Sequence, residues 1–303
     1  MQRFFIVGCP RSGTTLTAQL LGAHPELFGV GNESNFFSIR RAAALGRAPE
    51  VAARLRGLQK FFRRHGLPNE AADPGRLPSA ERMLALWDAL ATERGCVGWV
   101  EKTPDHLACI DDITAVAPDA KFVHVVRNAC NVLASGYVLR GINPSWNPDY
   151  ARLRSALLGW MVAIEQTRRW QSHPNHLIVE YKHLTQDPKA LLTRVCEFLG
   201  LRFSEEMLLS RGGSPSGASW YHSTTGETGH PVEIRPEHFS NFNKHFPGMR
   251  GRVLRALVWG GDPGLWLRSP VFPRGQMRAL RFASGALESW LAPEIQIGPA
   301  DPA

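Results

Sequence analysis

Apolar and polar positions along the chain alternate between short unbroken runs and stretches of helical period. The first run, Phe4 to Val7, ends at Gly8 and passes through a loop with Gly13 into a predicted helix over 14–23, with Leu16, Ala18, Leu20 and Leu21 as its apolar positions. His24-Pro25 ends that helix and shapes the chain reversal. A turn-rich connection with Gly29, Gly31 and Asn32 then delivers Glu33 to the start of another helix reaching Arg41. Residues 43–75, rich in Ala, Arg and Leu with breaks at Pro49, Gly66, Pro68 and Pro74, predict helical structure off the sheet. Ser79 is placed to cap a helix over 80–94, with Glu81 in its first turn.

The second half repeats the rhythm. Cys96 to Val100 reads as a strand ending in Glu101-Lys102-Thr103-Pro104, followed by a helix over 105–117. Lys121 to Val126 is almost continuously apolar, which suits a parallel strand covered on both faces. It ends at Arg127, and 131–139 looks helical. After a loop with Pro144, Trp146 and Pro148 come a long amphipathic helix over 150–170, a strand over 176–181, and a helix over 188–199 stopped by Gly200. The Gly, Ser and Thr of 210–229 fit a lid and a linker equally. A helix over 236–245 and a segment rich in Arg, Trp and Leu complete the chain.

This order predicts an α/β fold: one domain over 1–303, a P-loop-like three-layer sandwich around a central parallel sheet. It carries a helical insertion at about 40–95, a lid-like segment at about 210–232 and a basic helical C-terminal region at about 249–303. Ligands in such sheets sit at the carboxyl ends of the strands. Arg11 to Thr15, Glu101 to Thr103, and Arg127 all fall there.

The loop after the first strand carries the sharpest chemistry. Gly8 and Gly13 stand at the ends of G-x-x-x-x-G, where backbone N–H groups at a helix N-terminus cradle an anion. Thr14, however, stands where a P-loop nucleotidase needs its lysine. The loop's cation is Arg11, followed by hydroxyls at Ser12, Thr14 and Thr15. Such a loop holds a phosphate but is poorly built for a triphosphate with Mg²⁺.

Composition adds little to this. The 303 residues are 44% hydrophobic and 20% charged, ordinary for a globular protein, so only the net charge of +8 points anywhere, toward an anionic ligand or surface. No block of like charge suggests a nucleic-acid tail. Five scattered cysteines show no disulfide or metal-ligand spacing and imply a reducing compartment. With no apolar run of membrane-spanning length and the phosphate loop so close to Met1, the expected location is cytoplasmic, without signal peptide or anchor. The C-terminal mix of arginines with Leu, Val, Trp and Phe leaves three readings open: peripheral contact with the inner face of a membrane, a subunit contact, or a helical cap with a basic outer face.

The run Phe5 to Leu16, with Pro10-Arg11-Ser12-Gly13-Thr14, resembles the 5′-phosphosulfate loop of sulfotransferases that use 3′-phosphoadenosine 5′-phosphosulfate (PAPS). Phe122 to Tyr137, with Arg127 and Ser135 eight apart, is similar to the family's 3′-phosphate motif. Val179 to Leu184 with Asp187-Pro188 resembles the segment near the adenine, and Glu101-Lys102-Thr103-Pro104 matches a tetrapeptide of the carbohydrate-type and bacterial members. Asn128-Ala129, Asn131 and Lys182-His183 depart from the family pattern, the first two at the cost of turn-stabilising carboxylates.

The resemblance implies an enzyme moving a sulfuryl group from PAPS to a hydroxyl of a carbohydrate, glycolipid or other small metabolite, with no metal. It implies cofactor contacts from Arg11, Ser12, Gly13, Thr14, Thr15, Arg127, Ser135 and Tyr181, and catalytic roles for Glu33, Arg11 and Lys102. Glu33 is the first choice of base, with His106 and His124 as alternatives; His124, inside an apolar strand, reads better as a core residue. The rival readings are a P-loop nucleotide or small-molecule kinase and a non-catalytic nucleotide-binding module.

Overall fold

The computed structural model describes residues 1–31, 33–65, 77–142, 153–209, 234 and 240–269. Five parallel strands form one sheet: β1 (Gln2–Gly8), β2 (Leu27–Gly29), β3 (Gly98–Lys102), β4 (Lys121–Val126) and β5 (His176–Glu180), in the order β2-β3-β1-β4-β5. Between them and beyond run α1 (Thr14–Gly22), α2 (Phe36–Ala44), α3 (Ala48–Arg64), α4 (Ala80–Glu93), α5 (Ile110–Val116), α6 (Ala129–Ile142), α7 (Leu153–Trp170), α8 (Tyr181–Gln186), α9 (Pro188–Leu199), α10 (Glu206–Leu209), α11 (Ser240–His245), α12 (Gly248–Leu257) and α13 (Pro263–Arg268). None of the described helices is long and apolar enough to cross a membrane.

Because strand side chains alternate, β1 serves two cores. Phe4 and Ile6 pack with Val100, Val123, Val125 and the apolar faces of α1 and α9. Phe5 and Val7 point the other way, into the larger core beneath α2, α3, α4, α6 and α7. Phe5 is fully buried and touches Phe37, Trp87 and Trp99 edge-on while stacking on Phe122. An unbroken apolar strand is what this two-sided burial requires.

The elements expected at the site recur with shifted edges. The connection after α1 contains the short strand β2, whose Leu27-Phe28-Gly29 is too brief to carry a periodic signal. The helix expected over 105–117 is a 3₁₀ turn, Pro104–Cys109, followed by α5. Tyr181 opens α8 instead of closing the strand. Ser79 caps α4 as expected, its Oγ accepting from the Arg82 N–H at 3.2 Å. Gly200 ends α9 at φ 81°. The lid-like segment 210–229, the loop at 144–148 and the end of the C-terminal region lie outside the described residues. The part of that region up to 269 is packed: Trp266 is fully buried, meets Trp160 edge-on at 5.1 Å, and donates from Nε1 to the Val258 carbonyl.

His124 takes the core position expected of it. Its Nε2 lies 2.8 Å from His176 Nδ1, and Nδ1 lies 3.4 Å from Thr167 Oγ1. His176 is stacked between Phe122 and Trp170. Burial pushes His124 down to about 3, with His176 acting in the same direction. Burial and then His173 bring His176 to about 4. An unfolded histidine titrates near 6.5, so the unfolded chain binds these protons first as pH falls. The stability this pair confers is therefore complete above about pH 6.5 and declines through the window down to 3–4. The thermal unfolding midpoint should drop between pH 7.5 and 5, and His176→Phe should make that drop shallower; an unchanged slope would assign the acid sensitivity to other groups.

Candidate active site

The chain leaves β1 at the point where the sheet's order reverses. On one side of β1 lies β3, with Lys102 opposite Ile6; on the other lies β4, with Val125 opposite Gly8. The following helices depart to opposite faces, α1 to one core and α6 to the other, leaving a crevice above the strand ends.

The loop Cys9–Gly13 fills the mouth of that crevice. A Cβ at Gly8 would lie 2.4 Å from the Val125 carbonyl oxygen, so only glycine lets the loop cross β4 so closely. Arg11 and Gly13 are held at φ 72° and 98°; for arginine this left-handed conformation is a strained one, of the kind that clusters at functional sites. Gly13 leads into α1, whose ladder begins with Thr17 N–H donating to the Gly13 carbonyl at 3.0 Å. The earlier N–H groups, through Leu16, are left at the helix's positive end.

Four predicted cofactor residues converge here. Arg11 Nε donates to Ser135 Oγ at 3.0 Å, and an Arg127 guanidinium nitrogen donates to the Arg11 carbonyl at 3.1 Å. The Arg127 guanidinium lies 4.3 Å above the Tyr181 ring. That ring presses on the start of α1, since a Cβ on Gly13 would come within 2.1 Å of it. Trp160 fixes the Arg127 backbone by donating from Nε1 to its carbonyl at 2.9 Å. Ser12 and Thr14 are buried in the loop, and Thr15 is exposed. Ser12 Oγ is fully enclosed with no hydrogen-bond partner among the described residues, an arrangement that costs free energy unless a ligand completes it. Gly8 at the strand end, Gly13 at the helix start, an orphaned hydroxyl and two guanidinium groups thus fit a nucleotide carrying phosphates at both ends.

Lys102 and Glu33 meet at the neighbouring strand end. Lys102 Nζ donates to Glu33 Oε1 at 2.6 Å, the lysine nearly buried and the carboxylate 43% exposed. Glu33 precedes α2 rather than sitting in its first turn: Asn35, at φ 55°, is the residue that opens the helix.

Two residues named in the sequence without a role of their own take one here. Glu101 is fully buried, with Oε1 accepting from the Ser34 N–H (3.2 Å), Ser34 Oγ (2.8 Å) and Thr103 Oγ1 (2.6 Å), and Oε2 lying 2.9 Å from His106 Nδ1. Burial pushes its carboxyl upward, but the neighbouring His106 and the bonds from His106, Thr103 and Ser34 together hold it below the usual carboxylate range. The Phe37 N–H donates to His106 Nε2 at 3.2 Å, so both His106 nitrogens are engaged and this histidine has no lone pair left for a substrate proton. The second residue is Asn131, noted only as a departure from a motif. It is buried one turn before Ser135, and its Nδ2 has no partner among the described residues. Asn128 corrects the expected loss: Oδ1 accepts from the Cys130 N–H at 2.9 Å as a carboxylate would, while Nδ2 donates to the Gly260 carbonyl at 3.3 Å, which a carboxylate cannot do.

Removing the Glu101 carboxylate strands four buried donors. Glu101→Ala should cost at least about 3 kcal/mol in urea denaturation; a loss below about 1 kcal/mol would mean that the cluster relaxes without it.

Known proteins resemble this chain in sequence and in fold. Residues 3–205 match the model of the sulfotransferase family. Protein-tyrosine sulfotransferase 2 of Gallus gallus is 25% identical over 260 residues, covering 82% of this chain and 65% of that enzyme. Protein-tyrosine sulfotransferase 1 of Danio rerio is 23% identical over 219 residues, covering 69% and 56%. The chain thus spans less than two thirds of either relative. Among solved structures, the sulfotransferase domain of the Synechococcus PCC 7002 olefin synthase superposes with a TM-score of 0.52 at 22% identity, over 94% of this chain and 96% of that one. A mouse sulfotransferase complexed with PAP superposes at 0.51 and 12% identity, over 92% and 88%. These structures share the fold. The match of a single family model across two thirds of the chain, from β1 to the end of the sheet and beyond, makes this protein a member of the sulfotransferase family.

Proposed function

We propose that the protein is a PAPS-dependent sulfotransferase acting on the hydroxyl of a small acceptor. The observation that carries this reading is the convergence of Arg11, Ser135, Arg127 and Tyr181 on a phosphate loop that has Thr14 in place of the nucleotidase lysine. The related mouse fold, complexed with PAP, supports the same donor.

PAPS, when bound, supplies the sulfuryl group: its bridging S–O bond breaks as an S–O bond to the acceptor oxygen forms. The chain's own groups divide the remaining work. Arg11, Ser12 Oγ and the N–H groups at the start of α1, through Leu16, offset the negative charge that grows on the 5′-phosphate side. Arg127 and Ser135 hold the 3′-phosphate, the guanidinium giving a fixed fork of donors. Tyr181 walls the nucleotide and excludes water from the loop. Glu33 takes the acceptor's proton. Lys102 orients that carboxylate in the resting protein and, being a cation at the strand end, offsets charge on the sulfuryl oxygens.

Adenosine 3′,5′-bisphosphate at 100 times its Kd should raise the unfolding free energy by about 2.7 kcal/mol, whereas ATP with Mg²⁺ should do little; the reverse preference would favour a kinase. Arg127→Ala should weaken bisphosphate binding at least tenfold in calorimetric titration. Glu33→Ala should keep that affinity and lower turnover by about 10²–10⁴-fold. Full turnover in Glu33→Ala would sink the base assignment.

A further inference from the structure

A cavity of ≈ 270 Å³ opens beside the phosphate loop, on the face of the sheet that carries α2, α3 and α7. Gly8, Cys9 and Pro10, the residues just before Arg11, form one wall. Pro104 and Asp105, just after the Glu101–Thr103 strand end, form another. The helix α3 that closes the cavity with Arg54 also packs on the base segment: a Cβ on Gly57 would lie 2.6 Å from the Glu33 carbonyl oxygen. The cavity is thus walled by the chain neighbours of Arg11 and of the Lys102 strand end, while Arg11, Lys102 and Glu33 stand outside its lining. Its volume lies just under the range of about 300–1,000 Å³ usual for small-molecule sites.

The chemistry of the lining is selective. Ala42, Leu45, Leu107, Ala108, Val162 and Ala163 give it an aliphatic surface, and no aromatic residue lines it among the described residues. A sugar or a phenol would find no ring face to stack on. The charged groups at its edge are already committed to one another. Arg54 donates to Asp105 at 2.8 Å and to Glu50 at 3.2 Å, Arg47 lies 3.5 Å from Glu50, and Arg41 donates to Asp112 at 3.1 Å. That leaves Ser38 and Gln166 as the neutral polar side chains of the lining, few for a polyhydroxylated ligand. Leu45 and Val162, which belong to the lining, are 57% and 36% exposed. They extend the apolar surface outward from the cavity.

We infer that this cavity is the acceptor site and that the acceptor is an aliphatic or alicyclic alcohol, its hydroxyl toward the phosphate loop and its hydrocarbon body against Leu45 and Val162. The inference rests on the sulfotransferase reading above. In the reaction the alcohol oxygen gains the S–O bond, its proton passes to Glu33, and adenosine 3′,5′-bisphosphate leaves.

The test uses the full chain saturated with adenosine 3′,5′-bisphosphate, titrated calorimetrically with 1-octanol, methyl β-D-glucopyranoside or N-acetyltyrosinamide. Turnover of the same three with radiolabelled PAPS gives the second readout. Ala108→Trp and Val162→Trp fill the cavity from exposed positions, and an unchanged unfolding midpoint certifies their fold. The expected result is that octanol binds and is sulfated, that either tryptophan lowers its affinity at least tenfold, and that bisphosphate affinity stays within twofold. Octanol affinity that neither tryptophan changes would overturn the cavity assignment, and preferential use of the glucoside or the tyrosine derivative would overturn the acceptor class. Both outcomes leave the donor reading standing. Failure of wild-type protein to bind the bisphosphate would instead remove the donor reading and this inference with it.

Discussion

One buried carboxylate ties the working edge of this protein together. Glu101 lies at the end of β3, on the face that looks into the larger core, and it draws donors from three directions: Ser34 before α2, Thr103 after the strand, and His106 in the 3₁₀ turn. Ionised, it can accept from all of them; protonated, it would lose acceptor capacity where none can be spared. Its bond to the Ser34 backbone fixes the residue next to Glu33, and its own chain neighbour is Lys102. The Glu33–Lys102 pair is thus set from beneath, by a group that touches neither a nucleotide nor an acceptor. Glu33 lies between β2 and α2, outside both elements, so this anchoring is what holds its segment to the strand end.

The sheet and the phosphate loop were legible in the sequence for a common reason. Both depend on local patterns: unbroken apolar runs for strands buried on two faces, and glycines where the backbone must cross another chain closely. Arg11 and Arg127 could be named from the loop and the strand end they occupy, and Ser135 from the resemblance to the family's 3′-phosphate motif. What escaped was anything decided by distant packing. Glu101 reads as one more polar residue in a strand-end tetrapeptide, and only the donors brought in from Ser34 and His106 make it a hub. Asn128 reads as the loss of an acid, and only its contact with Gly260, far along the chain, makes it a gain. β2 is three residues long and is strand only because β3 lies beside it.

The C-terminal region illustrates the same limit. Its composition allows a membrane surface, a subunit contact or a cap, and its described part forms a packed cap. Trp266 is buried against Trp160, whose indole in turn fixes the Arg127 backbone. Gly260 and Gly261, both in the left-handed region, let the chain turn tightly over Asn128. The described segment supports the Arg127 end of the crevice through its apolar face, with Arg252 and Arg268 exposed on the other side.

The press of the Tyr181 ring on Gly13 has a consequence for how the site comes into being. The two residues lie at opposite ends of the sheet's construction, one after the first strand and the other after the last. The phosphate loop is therefore not a portable module: moved to another scaffold it would keep its glycines and lose its fence. In folding, such a non-local contact forms only after the costly closure of the long intervening chain. Affinity for the nucleotide is then the last property the protein acquires, and a chain able to bind it has already assembled its whole sheet.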